Sequence, residues 1–239
     1  MEKTNTRKEK IFLILAVYTF GLLLGLSFCL LRILGRIKIT HKERFPKKEK
    51  GILVVSNHPS LLEPILLPLL FFGQYIFHPF SFTPWSIPDK ANYFDRWYWF
   101  WAKITLIPIN RNKPREAVKS LQKIEQILKD GRPVILFPEG GRTSSEKEHF
   151  TSKNGKKLRK LKGGVGRLVF RVNPLILPIW VDGAENVLPN KQGKLYHCFP
   201  RLWRIVKIRI GEPFRCTGLE KEKITQEITW KLFELADEE

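Results

Sequence analysis

The chain has 239 residues, which is long enough for one α/β domain with a substantial core and too short for two such domains beside a membrane segment. Its 42 basic and 23 acidic residues give a formal net charge of +19, which predicts attraction to a polyanion: nucleic acid, an anionic membrane surface or a phosphorylated substrate. The 7 tryptophans and 17 phenylalanines favour the membrane, because aromatic side chains settle at the bilayer interface. The 3 cysteines and 5 histidines show neither disulfide nor metal-site spacing, so we expect no metal or prosthetic group.

Residues 11–31 form an uncharged, apolar segment with basic residues on both sides. About 20 such residues are enough for a helix to span a bilayer. A cleaved signal peptide would have only ~7–15 apolar residues, so we predict a retained membrane anchor. The sequence leaves open whether this helix spans the bilayer or lies in one leaflet. The long Lys and Arg run in residues 32–50 favours a cytoplasmic position for the rest of the chain.

We therefore divide the chain into a membrane anchor with a basic connector, residues 1–50, and a folded domain, residues 51–239. In the middle of that domain a strand at 104–109, a helix from Pro114 to Gly131 and a strand at 133–137 predict a β-α-β unit. Further strands are predicted at 52–56, 174–181 and 206–210, and further helices at 61–72 and 220–235. This alternation predicts an α/β domain.

Two short polar motifs directly follow predicted strands. Residues 57–64 contain His58 with a carboxylate partner, Glu63, and residues 137–144 contain two glycines followed by Arg142. In open α/β sheets, ligands bind where strands end in loops. Histidine is suited to proton transfer near neutral pH, while glycine loops and arginine bind anions. The pair predicts proton abstraction from a substrate that carries phosphate.

The motifs resemble the signature of the glycerolipid acyltransferases, typified by the 1-acylglycerol-3-phosphate acyltransferases: His-x4-Asp/Glu followed by Phe-Pro-Glu-Gly-x-Arg-x-Ser. Two weaker blocks at 107–111 and 175–180 resemble the family's second and fourth motifs, in the family's order. The resemblance implies a single domain with a mixed, largely parallel sheet flanked by helices. It also implies a membrane-bound enzyme of phospholipid biosynthesis. Such an enzyme moves an acyl group from acyl-CoA or acyl carrier protein to 1-acylglycerol-3-phosphate, giving phosphatidic acid.

The resemblance assigns roles to individual residues. His58 is the expected base, and Glu63 is expected to hold its imidazole in the correct tautomer, as the third member of a catalytic triad does. Glu139 is expected to hydrogen-bond an acceptor hydroxyl or to orient an arginine. The residues expected to bind the acceptor are Arg111, Glu139, Gly140, Gly141 and Arg142.

The chain departs from the usual family pattern at two positions: Glu63 replaces the more usual Asp, and Gly141 replaces Thr. The loss of a hydroxyl at Gly141 leaves room for another acceptor, such as a different lysolipid or a hydroxylated or amino-linked lipid.

Six basic residues and no acid lie between 153 and 162, which indicates either a solvated loop or a surface for anionic lipid, coenzyme A or acyl carrier protein. The aromatic stretch at 75–101 is either a core helix or a surface that enters the bilayer or lines an acyl-chain slot. A non-enzymatic basic protein on membrane or nucleic acid is the rival class, but it leaves the two motifs unexplained, and we expect no nucleic-acid partner.

Overall fold

A computed structural model describes residues 7–87, 100–109, 114–143, 149–188 and 200–238. A six-stranded sheet in the order β1-β8-β7-β2-β4-β3 forms its centre. The strands of this sheet are β1 (Ile37–Thr40), β2 (Ile52–Ser56), β3 (Trp85–Ser86), β4 (Val134–Leu136), β7 (Leu175–Asp182) and β8 (Val206–Ile210). All neighbours are parallel except β7 and β8, so the expected mixed, largely parallel sheet is confirmed. A separate antiparallel hairpin joins β5 (Phe150–Thr151) to β6 (Lys157–Leu158).

Helices cover both faces of the sheet. They are α1 (Arg7–Ile33), α2 (Glu63–Leu66), α3 (Phe72–Tyr75), α4 (Pro79–Phe82), α5 (Pro114–Lys129), α6 (Gly164–Val172), α7 (Ala184–Val187) and α8 (Lys221–Asp237). Short 3-10 turns lie at Lys42–Arg44, Leu67–Phe71 and Lys103–Thr105. The predicted helices at 114–131 and 220–235 are confirmed, whereas the one at 61–72 is divided between α2, a 3-10 turn and α3.

The two core layers follow from strand periodicity. Leu53 and Val55 of β2 point to one face, against α5, α6 and α8, while Ile52 and Val54 point to the other, against α1 and α2. A strand that is buried on both faces has an unbroken apolar sequence, which is what β2 shows. This apolar strand carries the first motif to the surface at its carboxyl end.

Helix α1 is one run of 27 residues, long and apolar enough to cross a bilayer by length and composition. A π turn at Val17–Gly21 interrupts it, and the Tyr75 hydroxyl donates to the Gly21 carbonyl at 3.0 Å. One face, including Leu13, Val17 and Phe28, is buried against the domain, while the opposite face exposes apolar side chains along its length. The N-terminal half contacts α4 and the turn at 103–105. Both lie beside the edge strand β3: α4 directly precedes it in the chain, and Leu106, just after the turn, forms a bridge to its residue Ser86. The C-terminal half contacts β1, so α1 crosses from one lateral edge of the sheet to the other.

The strand predicted at 104–109 is wrong. Residues 103–105 form a 3-10 turn, and Leu106 pairs with Ser86 as an isolated bridge and not as part of a strand. The parallel neighbour of β4 on that side is the two-residue strand β3. The short strands β1 and β3 and the hairpin were not predicted, because two to four residues give too little periodicity to recognise.

Candidate active site

The two polar motifs meet at the carboxyl edge of the sheet, where β2, β4 and β7 end. The side chain of Asn57 continues the β2–β7 ladder beyond the last strand residue: its Nδ2 donates to the Val181 carbonyl at 2.9 Å, and its Oδ1 accepts the Val181 N–H at 2.8 Å. This side-chain pairing satisfies the strand end. The backbone of the next residue, His58, is thereby released from the ladder to make other contacts.

His58 and Glu63 form a buried pair. The His58 Nδ1 and Glu63 Oε2 atoms are 2.8 Å apart, and the Glu63 side chain is fully buried. The turn between them is closed by Ser60, whose backbone N–H and hydroxyl both donate to the Glu63 carboxylate. Because a carboxylate accepts and does not donate, Nδ1 carries the proton of the neutral ring, and Nε2 holds the lone pair. The Phe137 ring stacks on the imidazole with centroids 4.5 Å apart.

Glu139 joins the second motif to the first. Its Oε1 accepts the His58 backbone N–H at 2.7 Å and the Thr143 hydroxyl at 2.8 Å, and its Oε2 accepts the Arg159 backbone N–H at 3.0 Å. The Thr143 N–H in turn donates to the His58 carbonyl at 2.8 Å. The backbone of His58 is therefore held on both its N–H and its C=O by the second motif.

Of the two roles expected for Glu139, hydrogen bonding to an acceptor hydroxyl does not fit this geometry. The side chain is fully buried, and both of its oxygens are bonded to groups of the protein. Burial raises the pKa of the Glu139 carboxyl above its ordinary value, although the N–H groups of Arg159 and His58, the Thr143 hydroxyl and the charge of His58 oppose the shift. The carboxylate fixes the loop that surrounds it.

The remaining predicted acceptor residues differ in placement. Gly140 has φ of +71°, which glycine adopts without strain, and it turns the loop beside Lys162. Gly141 and Arg142 line the same cavity as His58. Arg111, the remaining predicted acceptor residue, lies outside the described residues.

The cavity has a volume of about 350 Å³ and connects the site to α1. Its wall includes His58, Gly141, Arg142, Val17, Gly21 and Leu24. Polar groups are thus gathered near the motifs, and the α1 side is apolar. A cavity with one apolar wall and a few convergent polar groups is suited to a ligand with a long hydrocarbon part. Within the described ranges, no three His, Cys, Asp or Glu side chains converge as metal ligands would.

Sequence reasoning missed several residues of the site. Asn57, Phe137 and Thr143 lie inside the two motifs but had no assigned role. The available signals were the position of Asn57 directly before His58 and the positions of Phe137 and Thr143 within the second motif. Arg159 was placed only in a basic run. Its side chain is almost fully buried, and its Nη1 donates to the Arg142 carbonyl at 3.3 Å. A buried arginine in a run of exposed lysines has no sequence signal of its own.

The fold and the site together define a protein with a histidine–carboxylate pair at the carboxyl edge of a largely parallel sheet, open to an apolar cavity. A sequence model of the acyltransferase family matches residues 36–182, more than half of the chain, and the chain belongs to that family. The resemblance on which the motifs were interpreted is thereby confirmed.

Several known proteins are similar to the chain. A probable 1-acyl-sn-glycerol-3-phosphate acyltransferase of Mycoplasma pneumoniae is 27% identical over 158 residues, which cover 66% of this chain and 53% of that protein. The chloroplastic 1-acyl-sn-glycerol-3-phosphate acyltransferase LPAT1 of Arabidopsis thaliana is 27% identical over 163 residues, which cover 68% of this chain and 40% of that protein. The match therefore spans about half or less of these relatives. The crystal structure of the 1-acyl-sn-glycerophosphate acyltransferase PlsC from Thermotoga maritima has the same fold, with a TM-score of 0.60 at 20% identity over 85% of this chain and 72% of that one.

Proposed function

We propose that the chain transfers a fatty acyl group from an acyl thioester to the free hydroxyl of 1-acylglycerol-3-phosphate, giving phosphatidic acid. The observation that carries this proposal is the buried His58–Glu63 pair on the wall of an apolar cavity that Arg142 also lines. Membership of the acyltransferase family supports the reaction type, and the acceptor for which the relatives are named supports the acceptor proposed here.

In the proposed mechanism His58 Nε2 removes the proton of the acceptor hydroxyl as its oxygen attacks the thioester carbonyl. The tetrahedral intermediate then collapses, the C–S bond breaks, and the imidazolium returns the proton to the leaving thiolate. Glu63 stabilises the imidazolium formed in between and keeps Nδ1 as the protonated nitrogen. The substrate hydroxyl takes the place of a catalytic serine, so no acyl-enzyme forms.

Arg142 is proposed to bind the acceptor phosphate, since its guanidinium matches a phosphate in bidentate geometry. Arg111 is proposed as a second phosphate ligand. The donor is acyl-CoA or acyl carrier protein, and no metal or prosthetic group takes part in the reaction. The apolar wall of the cavity is proposed to hold an acyl chain.

The chain is proposed to lie at a membrane with its acyltransferase domain on the cytoplasmic side and an anionic membrane surface as a partner. Helix α1 supports this location, because most side chains on the face it turns away from the domain are apolar from Ile11 to Ile33. Since the other face packs on the domain from one lateral edge of the sheet to the other, we favour a helix that lies in one leaflet over one that spans the bilayer.

The test is acyl transfer by the detergent-purified protein, with oleoyl-CoA or oleoyl-acyl carrier protein as donor. The acceptors are 1-acylglycerol-3-phosphate, a lysophosphatidylcholine and a hydroxylated lipid without phosphate. We expect phosphatidic acid as the main product. We also expect Arg142→Ala to raise the KM for the phosphate acceptor at least tenfold while the KM for the donor changes little. Faster acylation of another acceptor would replace the proposed substrate, and the absence of transfer to every acceptor would contradict the reaction.

A further inference from the structure

Residues 201–205, just before β8, present an apolar surface that the proposed reaction does not use. The side chains of Leu202, Trp203 and Ile205 are 53%, 63% and 41% exposed. The segment is tied to the end of α1, because Arg36 Nη1 donates to the Trp203 carbonyl at 2.9 Å. Neighbouring exposed apolar side chains of this size mark an interaction surface.

The strand register places this segment beside the end of α1. Strands β1 and β8 are parallel, with Ile37 opposite Val206. The residues before each strand, Ile33 and Leu34 on one side and 201–205 on the other, therefore leave the sheet together. Ile33 is 83% exposed and Leu34 is 59% exposed, so the apolar surface of α1 continues into the loop.

The same register places both segments at the edge that carries His58. Strand β8 is antiparallel to β7, with Lys207 opposite Asp182 at the carboxyl end of β7. Strand β8 therefore begins where β2, β4 and β7 end. The His58 loop, the end of α1 and residues 201–205 all lie at one edge of the sheet.

Charge distinguishes between the candidate partners of this surface. Residues 32–38 and 201–207 contain six basic residues and no acid. These residues are Arg32, Arg36, Lys38, Arg201, Arg204 and Lys207. Tryptophan with leucine, bordered by arginine and lysine, is the composition of segments that lie in the headgroup region of an anionic bilayer.

We propose that residues 201–205 and the end of α1 form one docking surface for an anionic phospholipid bilayer, with Leu202 and Trp203 inserted at the boundary between headgroups and acyl chains. The inference rests on the membrane location proposed above and adds a second contact to α1. A single helix in a leaflet can rotate about its axis, whereas two contacts fix the domain. The sheet edge with His58 then faces the leaflet that supplies the lysolipid.

The first test is fluorescence quenching on vesicles of phosphatidylglycerol and phosphatidylcholine in which the acyl chains are brominated near the headgroup. The full chain is compared with Trp203→Phe and with the matched control Trp230→Phe. Trp230 is 54% exposed on α8, which packs on the opposite face of the sheet from α1. The emission of each tryptophan is the difference between the wild type and the variant that lacks it. We expect the emission of Trp203 to be strongly quenched and the emission of Trp230 to be unquenched. Equal quenching of both, or none at Trp203, would overturn the docking surface.

The second test compares rates in two substrate forms. For the double variant Leu202→Ser, Trp203→Ser, we expect about a tenfold lower rate with lysolipid presented in anionic vesicles, because two apolar contacts with the bilayer are lost. With a short-chain, water-soluble lysophosphatidic acid the rate should be that of the wild type. A wild type that neither floats with vesicles nor acylates either substrate would contradict the proposed function itself. Equal rates for variant and wild type on vesicles would contradict only the docking surface. Equal losses in both assays would contradict it as well, because they would show that these side chains support folding or catalysis and not contact with the bilayer.

Discussion

The backbone N–H of His58 donates to the buried carboxylate of Glu139 at 2.7 Å, across 81 positions of sequence. A second buried carboxylate, that of Glu63, lies 2.8 Å from the ring Nδ1 of the same histidine. One carboxylate therefore fixes the backbone of His58 and the other fixes its ring. The two motifs are parts of one structure around a single side chain.

Replacing Glu139 by glutamine should destabilise the fold. Three protein donors converge on the carboxylate. In glutamine an NH2 group replaces one carboxylate oxygen, so at least one of these donors would face another donor and lose its hydrogen bond. We expect Glu139→Gln to lower the free energy of unfolding by ~1–3 kcal/mol, as for a buried donor left unsatisfied. Chemical denaturation of both proteins in detergent measures this difference, and an unchanged free energy would contradict the structural role.

The pH dependence of the same pair of proteins gives an independent check. Burial raises the pKa of Glu139 above its ordinary value of 4.5. In the pH range between the ordinary and the raised pKa, the folded chain retains a proton on Glu139 that the unfolded chain has lost. Wild-type stability therefore falls as pH rises through this range. The variant lacks this titration. The stability advantage of the wild type should therefore shrink as pH rises above 4.5, and an advantage that grew with pH would contradict the raised pKa.

Glu63→Gln should reduce kcat ~10²–10⁴-fold while the protein stays folded. The amide can donate to Nδ1, which favours the tautomer with the proton on Nε2 and removes the base. Because Glu63 acts through His58, the double variant with His58→Ala should be no slower than His58→Ala alone. The control is Glu49→Gln, an exposed carboxylate before the opposite end of β2. If the losses of the two single variants added up in the double variant, Glu63 would not act through His58.

The cavity predicts an effect on acyl-chain preference. Gly21 lines its α1 wall. The atoms nearest to a Cβ there, the Ala16 carbonyl oxygen and the Tyr75 side chain, lie at ordinary contact distances of 3.5–3.7 Å, so a side chain at this position can extend into the cavity. Gly21→Leu should shift the preference toward shorter chains. Ser27→Leu adds a leucine on the exposed face of the same helix and should leave the preference unchanged. Competition assays with acyl donors of different length measure both, and equal profiles would remove the acyl chain from this cavity.

The packing of α1 on the domain depends on Gly25. A Cβ at this position would lie 2.1 Å from the Phe72 ring, whereas one at Gly73 would meet nothing within 4 Å. We expect Gly25→Ala to destabilise the chain by ~1–3 kcal/mol, as overpacked cores do. Gly73→Ala should stabilise its helix by ~0.5–1 kcal/mol. Thermal unfolding in detergent distinguishes the two, and equal shifts would contradict close packing at Gly25.

Much of the fold could be predicted from the sequence where signals were local and long. The apolar run of β2, the amphipathic pattern of α5 and the uncharged stretch of α1 each carry their own periodicity. The contact between Glu63 and His58 could also be predicted, because the two residues are five positions apart and a turn between them brings the Glu63 side chain within reach of the imidazole.

What could not be predicted depends on contacts between distant parts of the chain. Glu139 was expected to hydrogen-bond an acceptor hydroxyl or to orient an arginine, because nothing local shows that its oxygens would accept the N–H groups of His58 and Arg159. The position of Trp203 at the His58 edge follows only from the register of β8 with β1 and β7, which short strands do not reveal in sequence.

The most direct test of the central claim is acyl transfer from oleoyl-CoA, and separately from oleoyl-acyl carrier protein, to 1-acylglycerol-3-phosphate by the wild type and by His58→Ala. Both proteins are purified in the same detergent and matched in unfolding temperature. The account predicts phosphatidic acid from the wild type with at least one donor, and a rate for His58→Ala that is lower by ~10²–10⁴-fold or more. Phosphatidic acid formed at a comparable rate by a folded His58→Ala protein would contradict it.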